Sequence, residues 1–247
     1  MSHSARRRLF LLGAAVLAVA LAVTVTQLPQ FGALVHPYGD RAVAAGLGHR
    51  TANIVSAVNF DQRAFDTLGE ESILFASVLG ATLLLRPARD EHRRRPAPEP
   101  VLPTTRLFGA TLLPVALLTG GYLVAHGQLS PGGGFQGGVV LATGLHLAYV
   151  AADYRALRRI RPLTVLDVAD AVAAGSYAAL GLVGLAAGAS YLANTLALGT
   201  FNQLSSGGLV PVINAAVGIE VGSGVIVLLA HFLDQAVEVV PTGAEAR

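Results

Sequence analysis

The chain has no cysteine, no tryptophan and no lysine. Without cysteine it forms no disulfide and supplies no thiolate to zinc or to a cysteine-held iron–sulfur cluster. Electrons in any redox assembly that includes this chain therefore travel through other subunits. Without tryptophan, an aromatic belt at a bilayer surface must rest on the six tyrosines. Charge is scarce too: 13% of the 247 residues are charged and 53% are hydrophobic, where a soluble domain carries about 25% charged residues. These proportions argue against a soluble enzyme and for a polytopic membrane protein.

Six apolar segments fill most of the length, at about residues 9–28, 68–85, 107–125, 136–152, 166–187 and 213–233. Each is roughly 17–22 residues, enough to cross a hydrocarbon core of ~30 Å at about 1.5 Å per residue. The missing lysine leaves arginine as the sole long cation, and its placement fixes an orientation. Fourteen of the seventeen arginines fall before the first segment, between the second and third, between the fourth and fifth, or at the end of the chain. Arg41, Arg50 and Arg63 occupy the opposite side. Under the positive-inside rule this skew puts both termini in the cytoplasm of a plasma-membrane protein with six spans. Arg7-Arg8-Leu9-Phe10-Leu11 also resembles a twin-arginine export signal. The apolar run behind it is long for a signal peptide and lacks a small-residue cleavage site, so a permanent helix is the expectation.

Residues 29–67 form an external connection. Ile54, Val55, Val58 and Phe65 recur at helical spacing, which predicts an interfacial helix over residues 51–64. Residues 87–105, with five prolines and several arginines, read as an extended cytoplasmic linker. The expected organisation is a two-helix part (1–86), this linker, a four-helix part (106–238) and a tail (239–247).

One loop stands apart: Pro131-Gly132-Gly133-Gly134-Phe135-Gln136-Gly137-Gly138. Each glycine costs roughly 1 kcal/mol relative to alanine in a helix, so the run reads as a break between spans. It lacks the Gly-Lys-Ser/Thr ending of a phosphate-binding loop and follows no strand. Neither nucleotide nor nucleic acid is expected as a partner. Irregular backbone near membrane depth must be covered by protein or lie in a wet cavity, so the loop is expected to tuck into a protein contact at the outer boundary.

The same run resembles the signature of the MnhB- or MrpB-type subunit of the multisubunit sodium (cation)/proton antiporters. Ser205-Ser206-Gly207-Gly208-Leu209-Val210-Pro211, leading into Asn214-Ala215-Ala216-Val217-Gly218-Ile219-Glu220-Val221, resembles that family as well. The likeness covers about residues 104–238. Thr51-Ala52-Asn53-Ile54-Val55 and Phe65-Asp66-Thr67-Leu68-Gly69-Glu70 are similar to the C-terminal end of the large, A-type antiporter subunit. They are similar also to the matching small subunit of membrane-bound hydrogenases. The chain therefore reads as a fusion of two such pieces. The resemblance implies an all-α membrane subunit that acts with other membrane subunits in the lipid bilayer, with no cofactor besides transported Na+ and H+. No catalytic nucleophile–base pair is evident, so no enzyme activity is expected.

The ionisable residues inside the spans are the candidates for ion handling. Glu220 lies a third of the way into the sixth segment, where a lone carboxylate is costly. Ser223, Gly224, Val227, His231 and Asp234 share its helical face. Two readings stand, an ion path and a hydrogen-bonding stripe toward a partner. Glu70 and Glu71 point about 100° apart at the start of the second segment, and the resemblance favours Glu70. Asp66 is either part of the path or a helix cap. His146 is mid-span in the fourth segment, where a neutral histidine bonded between helices is the plainer account. Asp167 and Asp170 read as helix-start charges. The scattered histidines suggest no metal site. Gly175, Gly181, Gly184, Gly188, Gly218 and Gly222 read as helix-packing surfaces.

Overall fold

The computed structural model describes residues 3–28, 36–85, 93–94, 101–152, 163–234 and 238–239. It divides into two compact units, residues 1–40 and 41–247. The first holds α1 (His3–Thr26), in which no described side chain is buried. The hydroxyls of Thr24 and Thr26 bond back to the carbonyls of Ala20 and Val23 at 2.9 and 2.8 Å, which hides these polar groups within the helix.

α2 (Pro37–Gly48) runs across the junction of the units. The second unit continues with α3 (Ile54–Ala57), a π-helical turn (Val58–Gln62), α4 (Ala64–Leu84), α5 (Pro103–Ala125), α6 (Gly134–Ala152), α7 (Leu163–Ala186) and α8 (Val210–Asp234). The protein is an all-α membrane protein. By length and composition the stretches Arg7–Thr26, Ala64–Leu84, Pro103–Ala125, Thr164–Ala186 and Val210–Phe232 suffice to cross a bilayer. α6, of 19 residues, rises about 28 Å and is the remaining segment expected from the sequence. Outside the helices, Arg93–Arg94 and Glu238–Val239 pair as a two-residue antiparallel ladder. The rest of the proline-rich linker, residues 86–92 and 95–100, lies outside the described residues, as do residues 153–162 with their arginines and most of the tail.

α8 is the axis of the second unit. About 67% of its apolar stretch lies inside the protein, against at most 28% for the other four crossing helices. Glycines set the distances to its neighbours. Gly138 of α6 lies against Val221 and the Gly218 carbonyl of α8, and Gly218 lies against Val124 of α5. Gly109, Gly120 and Gly144 bring α5 and α6 together in antiparallel register. The GxxxG pair Gly218 and Gly222 is thus a packing surface. Gly175 and Gly188 are not, since a β-carbon at either would meet nothing within 4 Å, and Gly181 and Gly184 pack on the loop after α7 instead of on another helix.

The glycine run is less irregular than the sequence suggests. Only Pro131, Gly132 and Gly133 precede α6, and Gly134, Phe135, Gln136, Gly137 and Gly138 form its first turns. Gly132 and Gly133 have φ of +147° and +140°, which side chains rarely tolerate. Gly134 and Gly137 are helical because two helices press on them, and contact outweighs propensity. The protein contact expected for the loop is with this chain's own α8. There Asn214, fully buried, accepts a hydrogen bond from the Gly134 amide at 2.8 Å. Its Nδ2 donates to Ser56 Oγ at 2.9 Å and to the Val210 carbonyl at 3.1 Å.

Residues 51–64 differ from the expected interfacial helix. Val55 and Phe65 are exposed, while Ser56, Ala57, Phe60 and Ala64 are buried, so the inward stripe is the other one. Ser56 and Ala57 already face inward before the π-turn; within the turn the Arg63 amide reaches the Val58 carbonyl at 2.8 Å, and the extra residue turns the helix that follows by about 100°. Asn53 Nδ2 donates to the carbonyls of Gly127 and Ser130, both at 2.8 Å. Arg50 donates to the Gly199 carbonyl. The loops at this end are therefore knitted to one another.

An alanine at Gly134 would place its β-carbon 2.6 Å from the Asn214 carbonyl oxygen and 2.7 Å from Val217 Cβ. Gly134→Ala is expected to destabilise the protein by about 1–3 kcal/mol, measured as thermal unfolding in detergent. Gly121→Ala, where a β-carbon meets nothing within 4 Å, is expected to be neutral or slightly stabilising. Equal behaviour of the two variants would contradict the packing account.

Candidate functional site

Below the knitted end, three helices each bring one acid to the interior. α4 contributes Glu71, α8 contributes Glu220 and α7 contributes Asp170; they are 1%, 0% and 6% exposed. Glu71 and Glu220 are electrostatic neighbours, and Asp170 acts on both. Apart from one another, the carboxyl groups of Glu71 and Glu220 have no hydrogen-bond partner among the described residues, and the two lie within hydrogen-bonding reach of each other. Buried polar groups are ordinarily bonded, so two carboxyl groups with only each other, on two facing helices, mark this place out.

The surrounding sequence explains the arrangement. On α4 the inward stripe runs Ala64, Thr67, Glu71, Val78, at helical spacing from Phe60 and Ser56. Thr67 Oγ1 donates to the Asn59 carbonyl at 2.8 Å, tying α4 to the π-turn. Tyr177 of α7, fully buried, donates its hydroxyl to the Ala64 carbonyl at 2.9 Å and sits near Glu71. Gly224 of α8 makes room for Asp170, whose Oδ1 lies 3.2 Å from where a β-carbon would be. An apolar cluster that includes Phe60, Leu209, Ile213 and Val217 lies outward of the acids.

The sequence-selected residues fall into three groups. Glu220 lies at the centre. Glu70 points away: it is exposed on α4, and its neighbour Glu71 takes the interior position. Asp66, also exposed, pairs with Arg63 at 2.5 Å. It does not cap α4, because the capping position is Arg63. The stripe below Glu220 is interrupted. Ser223 Oγ donates to the Ile219 carbonyl at 2.5 Å, Val227 is buried, and His231 Nδ1 lies 2.9 Å from the Val227 carbonyl. The side chain of Asp234 lies outside the described residues. His146 on α6 is half-buried and its Nε2 has no partner among the described residues, so the bond between helices expected for that nitrogen is not made. The family-signature residues Pro131, Gly132, Gly133, Gly134, Phe135, Gly137 and Gly138 form the loop and the start of α6, where Gly133 and Gly134 meet Asn214 and Gly137 and Gly138 meet α5 and α8.

Sequence reading missed Glu71, Asp170 and Asn214. The stripe Phe60, Ala64, Thr67, Glu71 was available and selects Glu71 over Glu70. Asp170 is seven residues into α7, which begins at Leu163, well past the turn in which helix-start charges act.

Two buried carboxyl groups that face only each other, with no cation beside them among the described residues, hold a protein at less than its greatest stability. Glu71→Gln and Glu220→Gln, which keep shape and remove charge, are each expected to stabilise the protein by about 1–2 kcal/mol in detergent melting at neutral pH. A clear loss of stability in both would mean that the carboxyl groups are structural.

Residues 104–227 match the family described as a domain related to the MnhB subunit of Na+/H+ antiporters. An uncharacterised protein of Methanocaldococcus jannaschii is 27% identical over 197 residues, 70% of this chain and 73% of that protein. A Rhizobium meliloti protein, named as a probable K(+)/H(+) antiporter A/B subunit, is 28% identical over 194 residues, 67% of this chain but 19% of that protein. Among solved structures, one chain of the membrane-bound sulfane sulfur reductase, an archaeal respiratory membrane complex, superposes with a TM-score of 0.70 at 30% identity, covering 92% of this chain and 98% of that one. A chain of the Mrp complex from Dietzia sp. DQ12-45-1b superposes at 0.67 and 24% identity, covering 94% of this chain and 26% of that one.

Proposed function

This chain belongs to the family related to the MnhB subunit of Na+/H+ antiporters, and from that premise we propose that the paired carboxyl groups of Glu71 and Glu220 form a cation- and proton-exchanging centre within its complex, with Asp170 acting on them as a further charge and not as a third ligand. The chain is a multi-pass membrane subunit of a multisubunit cation/proton antiporter-like complex, and its partners are other membrane subunits. The observation that carries the proposal is the buried pair of carboxyl groups on α4 and α8, which reach each other and no other hydrogen-bonding group among the described residues.

Two carboxylates held near each other in a medium of low dielectric repel strongly. A shared proton relieves that repulsion, and so does a monovalent cation coordinated by their oxygens. The two occupants exclude each other, so arrival of a cation releases a proton and the reverse. Sodium, a hard cation that favours oxygen ligands, suits carboxyl groups of this kind. Asp170, entering from α7, extends the acidic surface toward the arginine-rich side. In this reading the chain moves ions and makes or breaks no covalent bond, and it is not an enzyme.

We assign residues 1–86 to the part that resembles the end of the large A-type antiporter subunit, 106–238 to the MnhB-like part, 87–105 to a linker and 239–247 to a tail. The double designation "A/B" in the name of the Rhizobium meliloti relative supports the fusion. A second reading concerns the complex to which the chain contributes. The match to nearly the whole of a respiratory-complex chain, at 30% identity, favours service in a respiratory assembly, where the same centre would couple ion movement to redox work done elsewhere. Hydrogenase or other redox proteins encoded beside this chain would support that reading, and antiporter subunits alone would support the first.

The test uses the assembled complex in inverted membrane vesicles, with collapse of a preformed proton gradient on addition of sodium as the readout. Glu71→Gln and Glu220→Gln are each expected to reduce the response about tenfold or more while the complex is recovered intact. Intact complexes with an undiminished response would reject the exchanging centre and leave this chain as a structural adaptor.

A further inference from the structure

Glu70 is the exposed acid of α4. Six residues beyond Ala64, it lies about 9 Å along a helix long enough to cross the bilayer. No hydrogen bond or ion pair reaches it among the described residues. Its electrostatic neighbour is Glu71, of like sign. One turn nearer the helix start, Asp66 already has Arg63, so the local cation is engaged. A lone carboxylate facing acyl chains at that depth is costly, and such residues face protein or a water-filled cavity.

The surface around Glu70 is shaped for close approach. Gly69 and Gly80, three turns apart on this face, would each meet nothing within 4 Å if given a β-carbon. Between them Ile73 is 69% exposed, and Ser77 bonds to its own helix at 2.7 Å, leaving a shallow face. We infer that this face of α4 seats a membrane-spanning helix of a different subunit, which presents an arginine, lysine or protonated histidine to Glu70. A second copy of this chain is the wrong occupant, because a two-fold contact across α4 would set Glu70 against Glu70. The inference rests on membership of a multisubunit complex and is independent of the ion-exchanging centre.

The natural absence of cysteine makes the test direct. In the full complex, Ile73→Cys carries a benzophenone photocrosslinker, with Val115→Cys on the exposed side of α5 as the comparison site. The Ile73 site is expected to crosslink to an apolar segment of another subunit that has a basic residue within about one helical turn of the crosslinked position. Glu70→Leu, which suits an exposed membrane face and leaves the interior untouched, is expected to enter the membrane at normal yield. It should reduce recovery of that subunit in the complex roughly tenfold. Charge exchange, with Glu70→Arg opposite a carboxylate introduced in the partner, is expected to restore recovery. Crosslinking to lipid alone, to a second copy or to a segment without a basic residue would overturn the inference, as would full assembly of Glu70→Leu. Loss of ion exchange in Glu71→Gln with normal crosslinking at Ile73 leaves the inference standing, so the two proposals fail separately.

Discussion

One buried amide, Asn214, decides how the outer half of this protein closes. It accepts from the Gly134 amide, where α6 begins, and donates to Ser56 and to its own helix. Three segments far apart in sequence therefore meet on one side chain. Near a bilayer core there is little water to satisfy irregular backbone, so loops must find their partners in protein. Gly127, Gly133 and Gly134 crowd the same residue; β-carbons there would come within 2.6, 3.1 and 2.6 Å of its atoms. Gly133 and Gly134 of the glycine-rich signature are thus the imprint of an asparagine some eighty residues later, while Gly137 and Gly138 answer to the close approach of α5 and α8.

That closure explains why Glu220 is buried. It follows Asn214 by six residues, about 9 Å down α8, on the helix that the other elements surround. Packing tight enough for Asn214 to reach Gly134 keeps the next turns dry as well. Glu71 arrives opposite by a comparable route, since the π-turn, Thr67 and Tyr177 fix the rotation of α4. The helices that carry the acids are held by contacts made elsewhere along them, and the carboxyl groups of Glu71 and Glu220 have only each other. An arrangement of this kind leaves those oxygens available to an ion, at a cost in stability.

The spans were legible in the sequence because apolar length and arginine placement are properties of composition, and few folds compete for them. The helical character of Gly134 to Gly138 was not legible, because propensity scales describe isolated helices and this helix start is clamped by α5 and α8. Glu220 was legible as a charge deep in an apolar run. Its partner was misread by one residue, since adjacent positions on a helix differ by about 100° and the resemblance favoured Glu70 over the Glu71 that the stripe of Phe60, Ala64 and Thr67 selects. Asp170 was hidden by its nearness to the arginine-rich loop, which offered a sufficient role for an acid until the helix was seen to begin at Leu163. The likeness of the glycine run to the MnhB type was informative about family and silent about ions, because those glycines serve Asn214 and the packing of α6 on α5 and α8.

Adjacent acids on α4 therefore divide their surroundings. Glu71 belongs to the interior with Glu220, and Glu70 belongs to the outer face, yet one peptide unit separates them and the charge of Glu70 bears on Glu71. A partner's cation at Glu70 would offset the charge that bears on Glu71 from outside the bundle. Assembly and ion occupancy would then be linked without any movement of the helix, by the field of one side chain on the next. Such a link requires no relay of contacts, because at this separation and in a medium of low dielectric a unit charge is strongly felt. A Gly-Glu-Glu sequence at the start of a membrane helix suffices to place one charge on each side of a wall between subunits.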